Sequence, residues 1–160
     1  SHSITLWVNC YTQGGEIISD RHGSSCNYKY RIYYSGGVKA KNGGPSMCWT
    51  IFEERVNQKD LYYLSFPLKK WALITCTYDL ETGIMENYVD GQKIDERKHF
   101  KAWSSLPNST TIGTLFGCAK YGATQPSGGF EGLIDDLRFY NRALSAKEVK
   151  ALYDLEKPKK

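Results

Sequence analysis

Apolar and polar positions alternate along most of the chain with the two-residue period of half-buried β-strands. In "SITLWVNCY" (3–11), Ile4, Leu6, Val8 and Cys10 fall on one face, and Thr5, Trp7, Asn9 and Tyr11 on the other. "GGEIISDRHGSS" (14–25) is a short strand running into a polar loop. Residues 27–41 read as two short strands around Gly36-Gly37, with Tyr28, Tyr30, Ile32 and Tyr34 alternating with Lys29, Arg31, Tyr33 and Ser35. "SMCWTIFEE" is the next strand, and 61–79 holds a short strand, a turn at Pro67 and a long strand. "LETG" turns the chain into "IMENYV", and Asp90-Gly91 is the strongest hairpin signal of the sequence. A strand ends the segment 104–114, residues 117–129 are a Gly-rich loop, and "FEGLIDDLRFYN" (130–141) is the last strand. Its alternation puts Leu133, Leu137 and Phe139 on one core-facing side with Asp135 among them, so exposure of Leu133 and Phe139 would count against this reading.

The end of the chain changes period. Ser145 and Glu148 have the spacing of a helix capping box, and Val149, Leu152, Tyr153 and Leu155 form an apolar stripe at helical spacing. About ten short strands at close turn spacing predict an all-β, two-sheet antiparallel sandwich closed by a short helix. The sequence divides into one domain over residues 1–155 and a tail or linker over 156–160.

Composition agrees with β structure. The 160 residues include 12 Tyr, 4 Trp, 6 Phe and 15 Gly, types that suit pleated surfaces and turns. The net charge of +4 is spread along the chain, which speaks against a nucleic-acid partner. No apolar run approaches the ~18 residues of a membrane span, so membrane insertion is not expected, and no signal peptide is visible. The five cysteines (Cys10, Cys26, Cys48, Cys76, Cys118) contain no CxxC pair, which disfavours zinc. Two disulfides with one free thiol, or buried reduced cysteines, both remain open. Asn108-Ser109-Thr110 is a glycosylation sequon if the chain enters a secretory pathway.

Three segments resemble a known superfamily. "KWALITCTYDLETGIMENYVDGQKI" (70–94) is similar to the Trp…Tyr-Asp…Gly…Tyr-Val-Asp-Gly signature of laminin-G-like, concanavalin A-like jelly rolls. "FEGLIDDLRFYNRALSAKEVKALY" (130–153) is similar to their closing strand, turn and helix, and "SITLWVN" to their Thr-Ile-x-x-Trp-Val strand. The resemblance implies a jelly-roll fold and leaves function open, because this sandwich carries lectins, carbohydrate-binding modules, adhesion domains, glucanases and lyases. It also implies several dozen residues before Ile4, with a first strand beside the last one. Their lack here leads us to expect a fragment, a strand supplied by another chain, or an empty place that leaves 133–140 open to strand addition.

Within this resemblance Asp135 matches a position where glucanase relatives help hold a structural calcium, a hard cation that takes oxygen ligands. A carboxylate facing the core needs such a partner, or backbone N–H donors. Asp136 is expected to pair with Arg138 at the surface. The acidic loop of the pentraxins is replaced by Thr114-Leu115-Phe116, which counts against a calcium-bridged ligand site of their kind. The paired carboxylates of the glucanases are absent, since Glu53 and Glu54 are adjacent and point to opposite faces. His2, His22 and His99 lack the context of lyase sites. The chain is therefore expected not to be an enzyme.

Sugar recognition asks for flat aromatic faces and planar polar groups. Trp103 and Tyr121 in loops, Arg31 and Tyr33 on one strand face, Trp49, Asn108 and Gln125 are the candidate ligand-binding residues. Trp7 and Trp71 match structural positions of the superfamily and are set aside. The expected function is a non-catalytic carbohydrate-binding or adhesion module, extracellular or at the cell surface, with a glycan or polysaccharide as partner. The alternative is a structural or protein-interaction domain of a larger extracellular assembly, completed by a strand from another chain.

Overall fold

The computed structural model describes residues 1–12, 16–22, 27–35, 46–51, 62–65, 67–98, 114–116 and 130–158. Ten strands follow in order: β1 (His2–Cys10), β2 (Glu16–His22), β3 (Asn27–Ser35), β4 (Ser46–Ile51), β5 (Tyr62–Ser65), β6 (Ala72–Asp79), β7 (Ile84–Val89), β8 (Gln92–Lys98), β9 (Thr114–Phe116) and β10 (Gly132–Tyr140). Helix α1 (Ala146–Glu156) closes the chain. The strands form two antiparallel five-stranded sheets, in the orders β10-β1-β6-β7-β8 and β5-β4-β3-β2-β9. The expected all-β sandwich with a C-terminal helix is the fold observed.

The core between the sheets is built by the predicted alternation. Ile4, Leu6, Val8 and Cys10 of β1 meet Ala72, Ile74, Cys76 and Tyr78 of β6, Met85 of β7, and Ile17, Ile18 and Ile32 from the second sheet. Each of the larger aliphatic side chains contributes roughly 1.5–3 kcal/mol by leaving water. Cys10 and Cys76 are buried free thiols. Burial pushes the Cys10 thiol up to about 12 and raises that of Cys76 as well.

The turns follow their residue chemistry. Asp90 and Gly91 both have positive φ, at 52° and 74°, the left-handed pair of a tight hairpin. The Asp90 carboxylate also accepts the Leu73 backbone N–H at 3.0 Å, which ties the turn to β6.

The last strand differs from its expectation. The register steps from Thr5↔Arg138 to Trp7↔Asp135, so β10 carries one residue more than β1. The extra residue is accommodated at Asp136, whose φ is +48°, and such a β-bulge reverses the alternation on either side of it. Ile134, opposite Val8, and Leu137 pack against the core, whereas Leu133 and Asp135 lie opposite Asn9 and Trp7 on the outer face. Phe139 pairs with Ile4 on the inner face but sits at the sheet's edge. Leu133 is 46% and Phe139 52% exposed, so the expected burial of these two residues is wrong. The sandwich stands without it, because a bulged edge strand seals the core through Ile134 and Leu137.

The C-terminal helix covers the outer face of the first sheet. Ser145 accepts the Glu148 N–H, and the Glu148 side chain accepts the Ser145 N–H in return, as the capping-box spacing predicts. Val149 packs with Tyr88 and Leu144, and Tyr140 closes this second small core. The Ser3 hydroxyl donates to the Arg142 carbonyl and accepts the Leu144 N–H, both at 2.9 Å. Glu156, read from sequence as the start of the tail, is the last helical residue and accepts the Trp7 indole N–H at 2.9 Å. The helix end therefore belongs to the folded body.

Candidate functional site

The two sheets offer different outer faces. On the second sheet the register aligns Phe116, Ile18, Ile32, Trp49 and Tyr62 in one cross-strand row. Ile18 and Ile32 are core residues, so this row occupies the inward-facing positions. Arg31 and Tyr33 flank Ile32 along β3 and belong to the opposite face. There Arg31 aligns with Ser19 and Thr50, while Tyr33 aligns with Cys48 and, one strand further, Tyr63. Positions 33 and 63 are two strands apart, roughly 9–10 Å at ordinary strand spacing.

The expected ligand residues are thus divided. Arg31 and Tyr33 share the outward face, as predicted, and Trp49 occupies the inward row. Trp103, Tyr121, Asn108 and Gln125 lie outside the described residues. Tyr63 was missed because nothing in its own segment marks its face; only the pairing Cys48↔Tyr63 aligns it with Tyr33.

On the first sheet, a small cavity of about 180 Å³ opens beyond the end of α1, lined by Trp7, Trp71, Asp135, Asp136, Glu156 and Pro158. Asp135 is exposed rather than core-facing, and its Oδ1 accepts the Asp136 N–H at 2.8 Å. The premise that it is a buried carboxylate needing a counter-ion therefore does not hold. Asp136 pairs with Arg138 at 3.4 Å, as expected, and the other end of that guanidinium meets Glu156 at 2.7 Å. Among the described residues no group of three His, Cys, Asp or Glu side chains stands where it could hold a metal ion.

His2, partly buried against Tyr78, is held down to about 4 by burial and then by the neighbouring N-terminal charge. Among the described residues no helix is long and apolar enough to cross a membrane.

A family model described as the concanavalin A-like lectin/glucanases superfamily, Laminin_G_3, matches residues 1–150. No curated protein sequence matches the chain. Among solved structures, the chain is similar to the CBM40 of the Ruminococcus gnavus IT-sialidase bound to α2,3-sialyllactose, at 15% identity and a TM-score of 0.64, covering 95% of this chain and 81% of that one. It is similar to a heptameric SAP-like pentraxin from Limulus polyphemus, at 14% identity and a TM-score of 0.63, covering 95% and 69%. It is also similar to a putative carbohydrate binding protein from Bacteroides ovatus, at 17% identity and a TM-score of 0.63, covering 93% of this chain and 39% of that one. Such identities establish a shared fold.

Proposed function

We propose that this chain, which belongs to the concanavalin A-like lectin/glucanases superfamily, is a non-catalytic carbohydrate-binding module of an extracellular or cell-surface protein. The observation that carries the reading is the outward face of the second sheet, where Tyr33 and Tyr63 share a cross-strand row beside Arg31. Tyrosine rings present flat apolar surface to the C–H face of a sugar ring, and a guanidinium donates to its hydroxyls. The fold is shared with a module whose structure holds sialyllactose, which supports a glycan as the class of ligand. The sequence holds no paired-carboxylate strand motif of the glucanase kind, which favours a role without catalysis.

Glycan-array binding, followed by titration of each hit, tests this. Tyr33→Ala is expected to weaken affinity at least tenfold with an unchanged melting temperature. Trp103→Ala and Tyr121→Ala test the loop contribution expected from sequence. Binding indifferent to all three substitutions, or no array hit, overturns the reading; product release from a polysaccharide overturns its non-catalytic part. Calcium at Asp135 remains a proposal, tested by a rise in melting temperature with CaCl2 that EDTA reverses and Asp135→Asn abolishes.

A protein-interaction role is the second reading, favoured by β10 lying at the end of its sheet with Leu133 and Phe139 exposed. An extended partner segment adding to that edge is the expected contact. Protection of β10 amides from hydrogen exchange by a partner, without glycan binding, would favour it over the first.

A further inference from the structure

The cavity beyond α1 faces away from the proposed sugar surface and has a different chemistry. Its two aromatic walls are indoles: Trp7 is 7% exposed and held by its bond to Glu156, while Trp71 is 39% exposed. Its polar groups are the carboxylates of Asp135, Asp136 and Glu156. Arg138 meets two of them, and no described cation pairs with Asp135. Three carboxylates against one guanidinium leave a local negative excess on a chain whose net charge is +4. The Trp7 N–H is already committed, so the unspent groups are acceptors and an exposed indole.

We propose that this cavity receives the basic side chain of a partner peptide, arginine in preference to lysine, between the Trp71 indole and the Asp135 carboxylate. A cation is drawn to the face of an indole, most strongly at tryptophan. A planar guanidinium can stack there while its N–H groups reach a carboxylate; an ammonium is more strongly hydrated and matches this geometry less well. Arg138 already spans Asp136 and Glu156 in the same neighbourhood, which demonstrates that the local carboxylates accept a guanidinium. Size points the same way. At about 180 Å³ the cavity is smaller than the roughly 300 Å³ at which pockets for drug-sized ligands begin, and fits one side-chain head group better than an oligosaccharide.

The experiment is a titration with acetyl-Gly-Arg-Gly-amide, followed by the indole N–H resonances of Trp7 and Trp71 in a 15N-labelled sample. The expected result is a saturable shift of the Trp71 signal that weakens at least fivefold when 0.5 M NaCl is added. The lysine peptide should bind about threefold more weakly, and the citrulline peptide, isosteric but neutral, at least tenfold. Asp135→Asn, at an exposed position, should reduce affinity at least tenfold without altering the rest of the spectrum, and Trp71→Ala should do the same without altering glycan binding. Equal shifts from the citrulline peptide, no shift of Trp71, or a Trp71 shift from a neutral oligosaccharide with none from the arginine peptide would each overturn the proposal.

Discussion

The outer faces of the two sheets begin from the same pattern, and the C-terminal helix packs on one of them. In β1 the polar-face residues Thr5 and Trp7 alternate with core residues, just as Arg31 and Tyr33 do in β3. On the first sheet α1 lies across that face, so Thr5 is fully buried, Trp7 nearly so, and Tyr88 packs under Val149. The described helix does not reach the second sheet's outward face. An alternating strand therefore specifies which residues point away from the core, while an element supplied from the far end of the chain decides whether those residues meet water, a helix or a ligand. Stability should be sensitive to changes under the helix, and, on the proposed reading, ligand affinity to changes on the second sheet's outward face.

The strongest way to break the contrast is to spoil the covered face. Val149→Asp puts a carboxylate into the small apolar core of Tyr88 and Leu144. An unpaired buried charge of this kind costs about 3–5 kcal/mol, and the thermal midpoint should fall by roughly 10 °C. Retention of the wild-type midpoint would mean that the helix does not hold to this sheet. The next largest effect is expected at Gly132, where an added Cβ would stand 2.3 Å from the Asn9 carbonyl and 3.1 Å from the Cys10 Cα. Gly132→Ala must push β10 off β1, at a cost of about 1–3 kcal/mol, read from the urea midpoint. Trp7→Phe keeps an aromatic ring and loses only the N–H donated to Glu156. A hydrogen bond to a charged group contributes about 1.5–3 kcal/mol, and the loss should shrink in a Glu156→Gln background, where the acceptor is no longer charged.

What could be read in advance follows the range of the interactions. The β1 alternation, the Asp90-Gly91 turn and the Ser145–Glu148 box are each decided within a few residues, and each was legible. The β10 faces were not, because the bulge at Asp136 depends on how that strand meets Trp7 and Thr5 on another strand. Trp71 was set aside as structural, yet it is exposed beside three carboxylates brought together from β10 and α1. Tyr63 joins Tyr33 only through the β3–β4–β5 register. Arg31 and Tyr33 could be named as a pair because they lie two residues apart on one strand; Trp49 could not be assigned to the opposite side until its pairing with Ile32 was known.

The finest test of the contrast uses pH, because the clasp that starts the covering helix contains an exposed acid. Glu148 is held down to about 2 by its hydrogen bonds with Arg142 and then with the Ser145 backbone and hydroxyl. Its folded value lies below its ordinary value of 4.5, so the folded state resists protonating it. The stabilisation is fully present above about pH 4.5 and disappears as pH falls from there toward 2. Glu148→Gln removes this linkage, so the variant should melt slightly below the wild type at pH 7, and the gap should close between pH 4.5 and 2. Binding at the second sheet's outward face should be unchanged by the substitution at pH 7, because the clasp holds the helix that packs on the first sheet. A gap in melting temperature that stays constant across this range would mean that the Glu148 charge contributes nothing to holding the helix in place, and that Val149 and its neighbours hold it by apolar packing.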